Sequence, residues 1–329
     1  MLEVIRTGPL ALVVDQGRPG LSRFGVPRGG ALDDLGLAAL QRMLGNPGAS
    51  AGIEVWSGGL ALTTDQPLQA AYLGAGEVLA CGAKVPPGIR FALAAGDLLE
   101  VRAGAGFVTT LAFAGGIDLP QLLGSRSYLD GVRGEGPHFR SLRQGDVLPL
   151  GREAPAAGDS LPPRPQAEGP LLALPGPEMR QLSRSDRHLL FGPFRVGSTN
   201  RMGARLQGPP LSLEGMSASR PLVFGTVQLP PAGGPILCLS GHGATGGYAR
   251  VWVVASVERA RLPWLREGME LSFQAITADR AHRMLDAMQR WSLQPGGRCL
   301  RIRVGRQEFK VAVQEQDLRL PSFTAPTPI

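Results

Sequence analysis

The first residues suited to chemistry lie in two glycine-rich stretches near the N-terminus, residues 15–20 and 25–33, which run into an apolar segment. Backbone amides at the start of a helix bind anions, especially with arginines such as Arg18 nearby. The alternative is structural: the glycines adopt positive φ in turns and Asp33 caps the helix. Spacing alone favours the structural alternative. Anion binding by Arg18 is therefore a hypothesis, and Asp15 and Asp33 are acid-base or structural candidates.

A third glycine-rich stretch, residues 241–248, reads GHGATGGY and follows directly after an apolar run. Glycines at the end of a strand let a ligand approach the backbone closely. Ser240 and His242 also suggest a serine hydrolase, but the sequence has no G-x-S-x-G motif and its spacing identifies no acidic partner. The residues expected to line a pocket here are His242, Thr245, Gly246, Gly247 and Tyr248.

Three further arginines are candidates for binding a carboxylate. Arg126 lies in the sequence GSRS, beside a glycine turn, and Arg201 and Arg205 lie in NRMGARL. A turn or the start of a helix would let Arg201 and Arg205 face one pocket, where guanidinium groups suit carboxylate recognition. Solvated surface arginines are the competing interpretation.

Glu54 is the third acid-base candidate. It lies in the strand-like sequence GIEV, with few neutralising neighbours along the chain. A buried carboxyl has a raised pKa, which suits proton transfer near neutral pH. The alternative is an exposed strand glutamate.

Composition excludes several classes of function. All but two of the 34 basic residues are arginines, and they are scattered along the chain, so the formal charge of +7 does not indicate a nucleic-acid partner. Neither Lys84 nor Lys310 lies in a biotin-acceptor sequence, so we expect no covalently bound cofactor. No metal-ligand spacing occurs among the four histidines and three cysteines. Without a leader or an apolar run that could span a bilayer, we expect a soluble, cytoplasmic protein that binds no membrane.

Short apolar runs between glycine and proline turns predict a mainly β protein with a few helices. Apolar spacing predicts helices over residues 31–44 and 279–291. Alternating residues on both sides of Gly305 predict a β-hairpin over residues 300–313. The predicted strands are residues 10–14, 70–73, 90–93, 98–101, 108–114, 222–227, 236–239 and 251–255.

A segment poor in large apolar residues and rich in proline, alanine and glycine divides the chain. Residues 151–170 cannot bury a core of their own, so we predict a linker there. This division predicts an N-terminal β-rich domain over residues 1–150 and a C-terminal β-barrel domain over residues 171–329.

Taken in order, the motifs resemble the family of the 5-oxoprolinase C subunit, which includes allophanate hydrolase subunit 2 and biotin-dependent carboxyltransferases. The resemblance extends over residues 2–277. The stretches that carry it are Asp15 with residues 17–20, residues 25–27 and 30–33, 44–46, 53–54, 114–116, 124–127, 145–146, 201–203 with 205–206, 228–231 and 245–248.

This resemblance implies two β-barrel-like halves of cyclophilin-like character, which do not themselves imply prolyl isomerase activity. It implies a component that acts with a partner of the 5-oxoprolinase B-subunit (allophanate hydrolase subunit 1) type, and with the 5-oxoprolinase A subunit. The implied reaction is ATP-dependent opening of the cyclic amide 5-oxoproline to glutamate, with ATP used on another component of the complex. Gln228 joins the implied substrate-binding residues.

Several residues depart from the polar pattern of the family, among them Gln41, Asn200 and Gly241. Loss of orienting contacts at such residues would weaken substrate binding. Two alternatives therefore stay open: a regulatory protein that antagonises a kinase inhibitor, and a carboxyltransferase component that acts on urea-like amides with a separate biotin carrier. The other departures are Val14, Gly76, Ala244 and Trp264.

Overall fold

A computed structural model describes residues 1–102, 108–132, 134–162, 169–211, 213, 218–231, 234–293, 298–304 and 307–313. The predicted fold class is confirmed, because strands dominate and helices are few. The α-helices are α1 (Asp34–Met43), α2 (Arg184–Leu189) and α3 (Ala278–Leu293), and the 3-10 helices are Leu21–Phe24, Pro137–Phe139, Met179–Gln181 and Ser256–Trp264.

The first lobe contains two antiparallel sheets that pack face to face. One sheet has the order β11-β1-β4-β9-β6-β7 and the other β2-β3-β10-β5-β8. Side chains alternate across each strand, so both sheets contribute apolar residues to one shared core. The strands are β1 (Leu2–Thr7), β2 (Leu10–Val14), β3 (Gly52–Ser57), β4 (Leu60–Thr64), β5 (Leu68–Gly74), β6 (Glu77–Ala80), β7 (Ala83–Val85), β8 (Phe91–Leu93), β9 (Leu98–Arg102), β10 (Thr109–Phe113) and β11 (Val147–Leu148).

The second lobe is a nearly closed, barrel-like sheet with the order β20-β13-β14-β17-β16-β19-β12-β21. Its two edge strands, β20 and β21, are separated in sequence by Ser272 alone, so the chain itself brings the edges together. The strands are β12 (Leu171–Pro175), β13 (Phe194–Thr199), β14 (Gly203–Gln207), β16 (Thr226–Leu229), β17 (Ile236–Cys238), β19 (Ala249–Val254), β20 (Glu270–Leu271) and β21 (Phe273–Ala275), with the separate ribbon β15 (Arg220–Pro221) and β18 (Thr245–Gly246).

Helix α1 lies where the two lobes meet, a region that we call the lobe junction. Leu37 and Leu40 of α1 belong to the same buried apolar cluster as barrel residues such as Val227 and Trp252. Asp33 accepts a hydrogen bond from the Gly36 amide at 2.9 Å and so caps the helix, as the structural alternative predicted. The apolar contact between the lobes is therefore continuous with the interior of the barrel.

Most of the predicted elements are present. The predicted helices correspond to α1 and α3, and the predicted hairpin is the antiparallel pair β22 (Arg298–Val304) and β23 (Gln307–Val313). Gly305, the predicted turn residue, lies outside the described residues. The strand predicted over residues 222–227 is wrong in its first half, because Gly225 has a φ of 88° and Thr226 donates back to Val223 in a turn.

The segment over residues 151–162 follows the surface of the first lobe. The Ala157 amide donates to the Met43 carbonyl at 3.0 Å, and Leu161 donates to Gly88 at 2.8 Å. The division of the chain into domains stays a prediction. Among the described residues, no helix is both long and apolar enough to cross a membrane.

Candidate functional site

The glycine-rich stretches over residues 25–33 and 241–248 converge on Arg201 at the lobe junction. The Arg201 Nη2 donates to the carbonyl oxygen of Gly30 at 3.0 Å, across the junction. The Gly241 amide donates to the Arg201 carbonyl at 2.9 Å. Arg201 is only 5% exposed, so the interpretation of a surface arginine is wrong for this residue.

Local sequence explains why Arg201 lies at the tip of the β13–β14 turn. The Asn200 side-chain oxygen accepts from the amides of Met202, at 2.9 Å, and Gly203, at 3.1 Å, which closes an Asx-type turn. A Cβ on Gly241 would lie 2.7 Å from the Arg201 Cγ. Two of the departures from the family pattern therefore shape the turn and make room for the arginine.

Glu54 lies opposite Arg201 on β3 and is fully buried. Its Oε1 accepts from the Leu32 amide at 2.5 Å, and its Oε2 accepts from the Trp56 Nε1 at 3.1 Å. The Arg201 Nη1 is 3.6 Å from the Glu54 Oε2, which is an ion pair without a hydrogen bond. Burial raises the pKa of Glu54 to about 7, against the opposing effect of Arg201.

Buried guanidinium groups keep free donors at this site. Within the described part of the chain, the Nε and Nη1 of Arg201 have no hydrogen-bond partner. Arg18, which is 2% exposed, donates to the carbonyls of Leu122 and Ser127, while its Nη1 has no partner among the described residues. Burial lowers the pKa of both arginines. Unpartnered buried N–H groups are costly, so these donors favour a carboxylate or carbonyl ligand.

A small space beside Arg201, which we call the arginine pocket, lies at the lobe junction. The ring of Tyr128 lies under the Arg201 guanidinium, 5.8 Å from its carbon, and the Tyr128 hydroxyl donates to Asp130 at 2.8 Å. The arginine pocket has a volume of about 10 Å³, which is room for about one water molecule. A larger ligand therefore requires the loops around the pocket to separate. The lining residues are Pro27, Gly29, Tyr128, Leu129, Asp130, Arg201 and Gly241.

Asp15 ties two loops together and does not face the pocket as a free carboxylate. Its oxygens accept from the Gly17 amide at 2.8 Å, the Ser125 hydroxyl at 2.6 Å and the Arg126 amide at 2.6 Å. The structural role predicted for Asp15 and Asp33 as an alternative therefore explains both residues, Asp33 being the helix cap. Their carboxylates hold the loops that carry Arg18 and Gly30.

Two of the predicted carboxylate-binding arginines lie elsewhere. Arg205 is exposed on β14, where alternation buries Ala204 and Leu206 on the other face, so it does not share a pocket with Arg201. The Arg126 side chain forms an ion pair with Asp118. The prediction that Arg205 faces one pocket with Arg201 is wrong, because its strand directs the side chain away. A role for Arg126, whose buried Nε has no partner among the described residues, stays a prediction.

The stretch over residues 241–248 contributes to the pocket through its first residue. Thr245 and Gly246 instead pair with β15, beside Gln228, whose Nε2 has no hydrogen-bond partner among the described residues. Gly247 and the exposed Tyr248 follow the ribbon as irregular backbone before β19. The prediction that residues 245–248 line the same pocket as Arg201 is therefore not met.

His242 is buried and its Nδ1 lies 2.7 Å from the Gly243 carbonyl, so Nδ1 donates. Burial lowers the pKa of His242, and Arg259 and Arg28 lower it further. The Ser240 hydroxyl is buried without a hydrogen-bond partner among the described residues, so it does not bond to His242. This geometry provides no Ser-His nucleophile.

A second ion pair crosses the junction near the arginine pocket, and no sequence motif predicts it. Asp34 accepts from the Nη2 of Arg28 at 3.0 Å and from the Nη1 of Arg259 at 2.7 Å. The Arg259 guanidinium also stacks over the ring of Phe224 at 4.5 Å. Because Asp34 and Arg259 are 225 residues apart in the chain, no local pattern could reveal this pair.

A larger cleft of about 490 Å³ lies at the rim of the barrel, away from the predicted site residues, none of which is among its described lining. Trp264, one of the departures from the family pattern, is 45% exposed in its wall. Arg261 also lines the cleft and forms an ion pair with Glu258 at 2.7 Å. In the described part of the chain, no cluster of three or more histidine, cysteine or acidic residues could hold a metal ion.

Fold and site together define a two-lobed, mainly β protein with a buried arginine pocket at the lobe junction. The chain belongs to the family described as carboxyltransferase domain, subdomain A and B, whose model matches residues 24–275. It is 31% identical over 309 residues to the 5-oxoprolinase C subunit of Escherichia coli (strain K12), covering 88% of this chain and 96% of that protein. The corresponding C subunit of Haemophilus influenzae is 30% identical, covering 86% and 94%.

Solved structures agree with this assignment. The protein TTHA0988 superposes with a TM-score of 0.73 at 34% identity, covering 83% of this chain and 55% of that one. The urea amidolyase of K. lactis superposes with a TM-score of 0.77 at 24% identity, covering 88% of this chain and 20% of that one. This chain thus spans just over half of the first and a fifth of the second, and the second likeness shows the fold alone.

Proposed function

We propose that this chain is a non-autonomous component of an ATP-dependent 5-oxoprolinase-type complex. The relatives named as the C subunit of 5-oxoprolinase, which match over nearly their whole length, support this function. In the proposed reaction the amide C–N bond of 5-oxoproline breaks, and water adds its hydroxyl to the carbonyl carbon and a proton to nitrogen. ATP is hydrolysed to ADP and phosphate on a partner of the 5-oxoprolinase A-subunit or B-subunit type.

The observation that carries the proposal for the site is the buried guanidinium of Arg201 with two free N–H groups. The substrate carries a carboxylate, and a guanidinium binds a carboxylate through two parallel hydrogen bonds. Arg18 supplies a further free N–H beside Gly29. We place the substrate carboxylate between these two arginines, after the loops over residues 25–30 and 241–243 separate or a partner protein moves them.

The departures from the family pattern are consistent with a working site. Gln41 is fully buried and its amide donates to the carbonyls of Ser50 and Ala51, at 3.2 and 2.9 Å. Asn200 and Gly241 shape the turn that carries Arg201. Since these side chains hold the scaffold, their identities are compatible with retained substrate binding.

The test is ATP hydrolysis that depends on 5-oxoproline, measured on this chain coexpressed and purified with its partner proteins. We expect Arg201→Met to lower kcat/KM by about 10- to 100-fold, the value of a charge-assisted hydrogen bond of about 1.5 to 3 kcal/mol. Arg205→Met is the matched control, because Arg205 is exposed on the adjoining strand. It should leave kcat/KM unchanged.

An assembled complex without 5-oxoproline-dependent ATP hydrolysis contradicts the proposal. If such a complex instead consumes carboxybiotin from a separate carrier, the carboxyltransferase alternative is correct. If it binds and relieves a kinase inhibitor without either reaction, the regulatory alternative is correct.

A further inference from the structure

Each carboxylate oxygen of Glu54 already accepts one hydrogen bond from its own lobe. Its two oxygens accept from Leu32 and Trp56, and the guanidinium remains 3.6 Å away. The Arg201 Nη1 therefore carries the charge interaction with Glu54 but keeps its hydrogen available. Arg201 is thus held by charge and still able to bind a second anion.

The charged and titratable groups around this pair are few. Glu54 faces Arg201 of the barrel and Asp33 at the start of α1. Arg201 faces Glu54, the Tyr128 and Asp130 side chains of the loop after β10, and Arg18 from the first glycine-rich stretch. An incoming carboxylate would therefore share a nearly dry pocket with the Glu54 carboxylate.

Two carboxylates that compete for one buried guanidinium repel each other, and one of them then binds a proton. The substrate carboxylate is the more acidic solute in water and gains the free Nε and Nη1 donors. Glu54 is therefore the group that takes the proton. Neutral Glu54 keeps only part of its hydrogen bonding, because its protonated oxygen must donate instead of accept. Its protonation also removes the negative charge that competes with the substrate carboxylate for Arg201.

We propose that Glu54 is a positioning residue that takes up a proton when a carboxylate binds to Arg201, so that carboxylate and proton bind together. This inference rests on the proposed function and names the regulation of the same site. Because the pKa of Glu54 is about 7, the uptake occurs at neutral pH and above. Carboxylate affinity is then constant below about pH 7 and falls by up to about tenfold per pH unit above it.

The experiment uses the assembled complex, with the KM for 5-oxoproline measured between about pH 6 and pH 9. The substrate carboxylate is ionised over that whole range. We expect the wild-type KM to rise above about pH 7, with kcat changing less. Glu54→Gln mimics the protonated form, so its KM should stay low at high pH. Asp34→Asn, at the other junction carboxylate, is the matched control and should keep the wild-type pH slope.

A second measurement does not depend on the variant folding. Calorimetric titration of the wild-type complex with 5-oxoproline, in two buffers of different ionisation enthalpy near pH 8, should show uptake of about one proton per site. No proton uptake, or a Glu54→Gln variant with the wild-type KM profile, overturns the inference. Absence of any 5-oxoproline-dependent activity instead overturns the proposed function.

Discussion

Two carboxylate–arginine pairs cross the lobe junction, and they differ in how completely they are bonded. Asp34 receives hydrogen bonds from both Arg28 and Arg259, at 3.0 and 2.7 Å. Glu54 remains 3.6 Å from Arg201, whose Nε and Nη1 have no partner among the described residues. Asp34 is thus hydrogen-bonded to both of its arginines, although the Nε of Arg28 and the Nε of Arg259 also have no partner among the described residues, whereas Arg201 makes no hydrogen bond to its carboxylate.

Under the proposed function, this contrast accounts for an interface that holds two lobes together and also binds a carboxylate. The Asp34 carboxylate is neutralised by two hydrogen-bonded guanidinium groups, so it stabilises the junction. The Glu54 pair is more deeply buried and poorly satisfied, which costs stability in the free protein. We interpret the Asp34 pair as structural and the Glu54 pair as functional.

Arg201→Met should have the greatest effect on stability. Breaking a buried ion pair leaves an uncompensated charge and lowers the free energy of unfolding by about 3 to 5 kcal/mol near pH 8. The loss should shrink near pH 6, because Glu54, with a pKa of about 7, is then largely protonated in both proteins and little charge is left to compensate. Urea denaturation at both pH values measures this. An equal loss at the two pH values would show that Glu54 is not the group left without a partner.

The pH dependence of stability gives the next largest effect. Burial raises the pKa of Glu54 from 4.5 to about 7, so the folded protein binds a proton that the unfolded chain has already released. Its contribution is fully present below about pH 4.5 and is lost as pH rises to about 7, by on the order of 3 kcal/mol. The difference between wild type and Glu54→Gln in urea denaturation across this range isolates the contribution.

Arg259→Met tests the hydrogen-bonded Asp34 pair. We expect a loss of about 2 kcal/mol in the free energy of unfolding, because one charge-assisted bond disappears while Arg28 still pairs with Asp34. The KM for 5-oxoproline in the complex should not change. A raised KM in a stably folded variant would contradict the division into a structural and a functional pair.

Gly241→Ala should have a more modest effect than the other variants. The new Cβ would lie 2.7 Å from the Arg201 Cγ, so the arginine must shift, at a cost of about 1 to 2 kcal/mol and with a raised KM. Gly243→Ala is the matched control, since its Cβ would approach no described atom closer than 3.4 Å. Equal KM values for the two variants would contradict close packing of Gly241 on Arg201.

Local patterns predicted much of the fold. Leucines spaced along one face indicated α1, and alternation around a glycine indicated the hairpin of β22 and β23. The predicted set lacks several strands, from the six-residue β1 (Leu2–Thr7) and β13 (Phe194–Thr199) to the two-residue β20 (Glu270–Leu271). The edge strand β20 pairs with β13, a distant part of the chain, and a single sequence does not reveal such pairing.

The site was predictable in part. Glycines and arginines pointed to the loops that meet at Arg201, and the strand context of Glu54 pointed to its burial. The predicted position of Arg205 was wrong, because the alternation of β14 buries Ala204 and Leu206 and leaves Arg205 on the exposed face. Contacts such as Arg259 with Asp34 arise from tertiary packing and carry no signal in the sequence.

The apolar cluster that runs from α1 into the barrel has a consequence for cooperativity. Leu37 and Leu40 are buried against a core that also contains Val227 and Trp252, so neither lobe can unfold without exposing part of the other. Heating should therefore give one calorimetric transition for the pair of lobes. Cutting the chain within residues 151–170 should yield fragments that aggregate when separated and recover native spectra when mixed.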